Sequence, residues 1–415
     1  MKMTKSILLL LGLLTSGVSG RAANLNRADI NPALIYWQAF SQLPELSQEE
    51  QKLYQHSKTA PLDEKYEALV SRYDTSFRLV GRAAHLQQRV DWGVDLADGP
   101  DALLPHLAKA KVLAVAAGFR ARYFLEHGQE NGAVQDLLGA FVLGRQTAND
   151  GILISALVQI AIENIVVLSI AENFHGFSPD ALKQLIEGMD ASPARGTVSQ
   201  SIGTGERALV GWFANKISEL QSKYPNDEAK VISEIRDVLT LATIDEGGQK
   251  DYQKADEFIR AGGGTSNGLL ALVKGVEPLY DEMQAIAALP YDRFAPANQA
   301  FFEKVEQSTN PFVKTFLPAL SKARAREFSA LCMAEMLRAA VQYRLDGEAG
   351  LKSVRDSFGS GPFGFRRFLF QGVDRGFELK PNYPGDYPNV LIFVEKPGPY
   401  FRVVGKTAGT APEGN

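Results

Sequence analysis

Apolar residues recur at intervals of three and four along most of this chain, and that spacing limits the fold more than any other feature of the sequence. Val134, Leu137, Leu138, Phe141 and Val142 fall at i, i+3, i+4, i+7 and i+8. An α-helix turns once every 3.6 residues, so they share one face of a helix and that face needs a cover. Tyr66, Leu69, Val70 and Tyr73 repeat the spacing within a helical stretch predicted over 61–88. Leu113, Ala117, Ala121 and Leu125 line one side of a helix within 101–127, where the alanines let a neighbour approach closely. Gly128 stops that helix, and the pair predicts a helical hairpin. Further helix starts are marked by capping chemistry at Asn31-Pro32, Ser47 with Glu50, Ser178-Pro179, Asn226-Asp227 and Pro296, with loops at Gly247-Gly248 and 262–264.

The pattern changes near the C-terminus. Ala330, Met333, Ala334, Leu337, Val341 and Leu345 form a seam on a long helix, and beyond Gly347 aromatics, glycines and prolines take over. Segments 363–370, 376–379, 389–394 and 401–404 read as short strands, the last two joined by the turn Lys396-Pro397-Gly398-Pro399. So small a sheet without a disulfide rarely holds itself together, so it is expected to pack on the seam helix. The expected organisation is a signal peptide at 1–22, a helical domain at 23–323, a helix plus small antiparallel sheet at 324–405, and a disordered tail at 406–415. The predicted fold class is mainly α, an irregular helical bundle or solenoid with a small C-terminal α+β module. The hairpin is partly tetratricopeptide-like, but no recurrence near the ~34-residue tetratricopeptide period supports a regular array.

The N-terminus predicts export. Lys2 and Lys5 form a positive region, 7–14 is an apolar run and 15–23 is small or polar, the three parts of a cleavable secretory signal. Eight residues of helix rise only about 12 Å, against a hydrocarbon core of roughly 30 Å. A periplasmic or secreted protein is expected. Its single cysteine, Cys332, cannot form an internal disulfide, and its apolar neighbours Leu331 and Met333 predict a buried structural thiol. Lys and Arg total 44 against 48 Asp and Glu, so no basic excess exists to bind nucleic acid or an anionic membrane surface.

Residues 152–171 are apolar enough to raise a transmembrane span, but Gln159, Glu163 and Asn164 sit at the centre. An acid at mid-membrane costs roughly 2.5–3.5 kcal/mol on insertion scales, so a buried core helix is expected and no span after signal cleavage. Ser155, Gln159 and Glu163 make one polar stripe. Glu163 is the one candidate catalytic residue, as an acid with a raised pKa in a dry groove. The alternative is a core acid satisfied by an arginine or a helix end.

Three sets of motifs resemble a group of uncharacterised exported bacterial proteins of planctomycete type. They are Asn31-Pro32-Ala33 with Tyr36-Trp37-Gln38-Ala39-Phe40, the central stretch from Leu153 through Ser155 to Glu163, and Asp356-Ser357-Phe358-Gly359 with Gly376-Phe377-Glu378-Leu379. The resemblance implies a helical body ending in a long helix, a loop and a small sheet. The terminal piece is also similar to the globular end of type II secretion pseudopilins, although Ser357 stands where that family has proline and no prepilin processing motif precedes it. Asp374, Asp386 and Glu395 lack the family's calcium-site spacing, so no calcium ligand is carried over.

Other motifs lose their meaning in context. Gly264-Thr265-Ser266-Asn267-Gly268 matches a nucleophile elbow, but helix instead of strand precedes it, so a flexible loop is expected. The glycine pattern over 359–364 follows a helix and contains Pro362, which reads as a turn. Gly405-Lys406-Thr407 lacks the upstream glycine of a phosphate loop. His56, His85, His106, His127 and His175 show no metal-ligand spacing. Asp245-Glu246 and Glu49-Glu50 read as surface charge. No metal or cofactor is expected. The functional expectation is an exported scaffold with a protein partner in the cell envelope, in preference to an enzyme. Two alternatives stand beside it: a glycan or peptide hydrolase using Glu163 in an interhelical groove, and an envelope ligand-binding protein with an apolar pocket.

Overall fold

The computed structural model describes residues 30–410 other than 58, 87, 242–249, 360, 384–389 and 406–408. The signal peptide, the Gly247-Gly248 loop, Asp245-Glu246 and Asp386 therefore lie outside the described residues.

The N-terminal helices form where capping chemistry starts them. In α1 (Pro32–Ser41) the Asn31 side chain accepts the Ala33 N–H at 3.0 Å, and α2 (Gln48–His56) opens on a Ser47/Glu50 capping box. The helix expected over 61–88 is interrupted, giving a 3-10 turn (Glu64–Tyr66), α3 (Glu67–Ser71) and α4 (Asp74–Ala84). The break has a physical cause at Val70. Its carbonyl accepts Tyr73 N–H at 3.1 Å and the Arg120 guanidinium at 2.6 Å, which tightens the chain there. A 3-10 segment (Leu96–Asp101) occupies the start of the predicted 101–127 helix, which begins instead at Pro105.

The predicted hairpin is α5 (Pro105–Glu126) with α6 (Glu130–Thr147). The expectation of one buried face on α6 is corrected: α4, α5, α7 (Leu153–Glu172) and α8 (Pro179–Asp190) pack around it. Glycines carry the second face. A Cβ on Gly139 would stand 3.1 Å from Val80 Cγ1, and one on Gly144 only 2.6 Å from Ile162 Cγ2. Helix α7 has the length and apolarity of a membrane span, yet it lies against α5 and α6 with Ile162, Val166 and Ile170 fully buried.

The chain continues through α9 (Val198–Ser201), a π turn (Ile202–Glu206), α10 (Arg207–Lys223), α11 (Glu228–Leu241), α12 (Tyr252–Ala261), α13 (Ser266–Lys274) and α14 (Glu277–Ala287). The expected start at Pro296 is also corrected, because α15 (Tyr291–Glu306) begins five residues earlier and carries Pro296 inside. Pro290 supplies the carbonyl that accepts Phe294 N–H at 2.8 Å. The elbow-like motif is not a loop. Thr265 caps α13, and Ser266 is held by Glu228, with its N–H at 2.6 Å and its hydroxyl at 3.1 Å from the carboxylate.

After α16 (Pro311–Phe316), the long α17 (Pro318–Ser353) carries the seam, with Met333, Leu337 and Val341 buried. Cys332 beside them is free and fully buried, and burial raises its thiol pKa. The sheet is antiparallel in the order β1 (Gly364–Phe370), β2 (Val373–Lys380), β3 (Leu391–Val394). Gln371 and Gly372, both at positive φ, make the two-residue turn between β1 and β2. The segment expected as a fourth strand, 401–404, reduces to a bridge between Leu391 and Val404 with Ile392 N–H on Val403 O at 2.8 Å. In the tail expected to be disordered, Gly409 and Thr410 hydrogen-bond Arg402. The sheet meets two helices: Phe377 packs on Tyr343 of α17 at 4.8 Å, while Phe393 packs on Phe174, just beyond α7, at 5.3 Å. One hydrophobic core runs through body and sheet.

Candidate functional site

The polar stripe of α7 points into the body. Ser155 donates to Asp150 at 2.6 Å, and the Gln159 amide exchanges two hydrogen bonds with the Gly196 backbone at 3.0 and 3.1 Å. Glu163 is buried between Arg145, at 3.2 Å, and Arg195, at 2.5 Å. Arg145 also donates to Pro193 O at 2.9 Å, so the stripe pins the segments around 150 and 193–196 onto the helix. Glu163 lines neither the cavity of about 420 Å³ at the other end of α7 nor one of about 380 Å³ beside Arg89 and Trp92.

The opposite end of α7 lines a cavity of about 420 Å³ that no sequence motif marked. Its walls are α5, α7, the loop after α2 and the C-terminal segment 394–403, so it lies where the helical body meets the sheet module. Two helical stripes supply the groups: Val115, Phe119, Arg122 and Glu126 from α5, and Ile165, Leu168, Ser169 and Glu172 from α7. Gly118 brings the two helices together, since a Cβ there would stand 2.5 Å from Ser169 Oγ.

One side of the cavity is a fixed polar clamp. Arg122 donates to Glu126 at 2.7 Å, to Ser57 O at 2.7 Å and to Ala60 O at 2.9 Å, while the other Glu126 oxygen accepts Leu62 N–H at 2.7 Å. These bonds tie Ser57, Ala60 and Leu62 to α5.

Glu172 is different, because it makes no hydrogen bond or ion pair among the described residues. Burial penalises its charged form and pushes the carboxyl up to about 7, against a smaller opposing pull from Arg122. His175 follows one turn later, and burial holds its pKa down against smaller opposing effects of the Val394 backbone and Glu126. Its buried Nδ1 has no partner among the described residues. Across the cavity, burial and the Glu172 charge raise the Tyr400 phenol, which therefore stays neutral.

The loop that follows α17 plays a structural part. Asp356 is buried and accepts the Phe358 N–H at 2.9 Å and the Asn382 side chain at 3.0 Å. Asp374 pairs with Arg367 at 2.7 Å, and Glu395 pairs with the same arginine at 2.7 Å. Among the described residues no group of three or more His, Cys, Asp or Glu is arranged to hold a metal ion.

No family model, curated protein or solved structure matches this chain. Its chemistry is therefore read from the cavity itself.

Proposed function

We propose that this protein is an exported binding protein for a small molecule, with its site in the cavity between α5, α7 and the C-terminal segment. One observation carries the reading: an unpaired carboxylate stands in a cavity of about 420 Å³, within the roughly 300–1,000 Å³ range of small-molecule sites. Convergent polar groups with shifted pKa values on partly apolar walls mark such sites. A scaffold would favour exposed aromatics, and of those near the two ends Phe365 is exposed whereas Tyr36, Phe40, Phe363, Phe368 and Phe401 are buried. Hydrolysis through Glu163 would need that acid free, and two arginines hold it. The export part of the proposal rests on the pattern of residues 1–23, and a mature N-terminus between Arg21 and Asn24 on envelope protein supports it. Intact Met1 on cytoplasmic protein would contradict it.

The binding part is tested by a thermal-shift screen of small amphipathic molecules against the protein and Val115→Trp. Val115 is 40% exposed and lines the cavity, so an indole there should occlude it with little effect on the core. Compounds that stabilise the parent and not the variant support the reading. Compounds that stabilise both equally bind elsewhere and oppose it.

A further inference from the structure

We infer that this cavity takes an organic ammonium ion on an apolar body, with Glu172 as its counter-ion. The inference rests on the small-molecule reading above and adds the ligand's chemistry. Charge arithmetic inside the cavity is the first argument. Arg122 and Glu126 neutralise each other at 2.7 Å, and their remaining hydrogen bonds go to the backbone of Ser57, Ala60 and Leu62. Glu172 is left without a hydrogen-bond or ion-pair partner among the described residues, and once ionised it carries a negative charge that only the more distant Arg122 opposes. Its half-buried place in the cavity disfavours the charged form, and a ligand cation beside it would favour that form on binding.

The walls supply the second argument. Tyr54, Phe119 and Tyr400 line the same cavity, and the negative faces of aromatic rings attract cations. An anionic ligand would meet Glu172 with like charge. A hard divalent metal wants about six oxygen ligands, whereas the described residues show no cluster of three ligating side chains. An ammonium group on an apolar body answers both the charge and the walls.

The ammonium could belong to a free amine or to a lysine side chain of a protein. The half-enclosed space of about 420 Å³ favours the free amine. The test is calorimetric titration of the full-length protein with phenethylamine, 2-phenylethanol, phenylacetate and Nα-acetyl-lysine methylamide. Phenethylamine is expected to bind about 10-fold or more tighter than the isosteric alcohol, with phenylacetate weakest. Glu172→Gln should remove the amine's advantage and leave the alcohol within about 2-fold of its parent affinity. That variant carries no buried charge and should fold, which its thermal melt checks directly.

If the alcohol binds and the amine binds no better, this inference falls while the cavity remains a ligand site. If neither binds, both readings fall. Tighter binding of the lysine derivative than of phenethylamine would overturn the free-amine assignment. An amine advantage that survives in Glu172→Gln would overturn the role of Glu172.

Discussion

Replacing Glu163 by glutamine should destabilise the fold by about 3 kcal/mol, and the size follows from the two guanidiniums that share its carboxylate. Breaking a buried ion pair from one side costs about 3–5 kcal/mol because the remaining charge stays buried and unpaired. Glutamine keeps one acceptor oxygen but turns N–H donors towards the second arginine. Arg145 retains Pro193 O at 2.9 Å and the Phe141 ring at 4.7 Å. Arg195 loses its ion pair with Glu163, and its Nε is already without a partner. The lower end of the range therefore applies. Unfolding entropy of about 2.1 cal/mol/K per residue gives about 0.9 kcal/mol/K for a chain of this length, so Tm should fall by about 3 °C. Scanning calorimetry reads this, and Glu163→Leu combined with Arg195→Met should recover part of the loss, since it removes one of the two stranded guanidiniums and Arg145 keeps Pro193 O. A Tm for Glu163→Gln within 1 °C of the parent, to set against the roughly 3 °C shift, would refute the reasoning.

Three further outcomes follow from the packing and electrostatics. Gly144→Ala should destabilise by about 1–2 kcal/mol despite its helix propensity gain, because the new methyl lies 2.6 Å from Ile162 Cγ2; combining it with Ile162→Ala should cost less than the sum of the two singles in urea melts. The Glu172 carboxyl, pushed up to about 7 from 4.5, keeps its proton in the folded state over a range where the unfolded chain has released it. Parent stability should therefore fall as pH rises from about 4.5 to about 7, by up to about 3 kcal/mol, and Tm profiles for Glu172→Gln should be flatter, parallel profiles contradicting this. A chain ending at Gly347 should aggregate, since it uncovers Tyr343 and Phe174 and removes the 394–403 wall of the cavity; soluble protein with a parental melt would contradict the shared core.

Much of the architecture was legible because helices announce themselves by period and cap. Asn31, Ser47 and Ser178 cap the helices that their chemistry promised, and the strands at 363–370 and 376–379 lie within a residue or a few of β1 and β2. The misses have particular causes. A long-range hydrogen bond from Arg120 to Val70 O breaks one predicted helix, and no local pattern encodes a partner 50 residues away. Glycines at 139 and 144 look like gaps in an apolar count but are where neighbouring helices approach closely.

The site was hidden for a similar reason. Glu163 drew notice as an acid inside an apolar run, whereas its partners Arg145 and Arg195 stand 18 and 32 residues away. Glu172 closes the same helix, and an acid in the last turn opposes the helix dipole. That local signal was readable. The α5 stripe and the 394–403 wall are brought to it by tertiary packing alone.

The most direct measurement is a crystal structure of the full-length protein soaked with phenethylamine. The account predicts the molecule in the cavity between α5, α7 and 394–403, its nitrogen about 2.7–3.0 Å from a Glu172 carboxylate oxygen and its ring against Tyr54, Phe119 or Tyr400. Phenethylamine ordered at another place with this cavity unfilled, or bound here with its nitrogen turned away from Glu172, would contradict it.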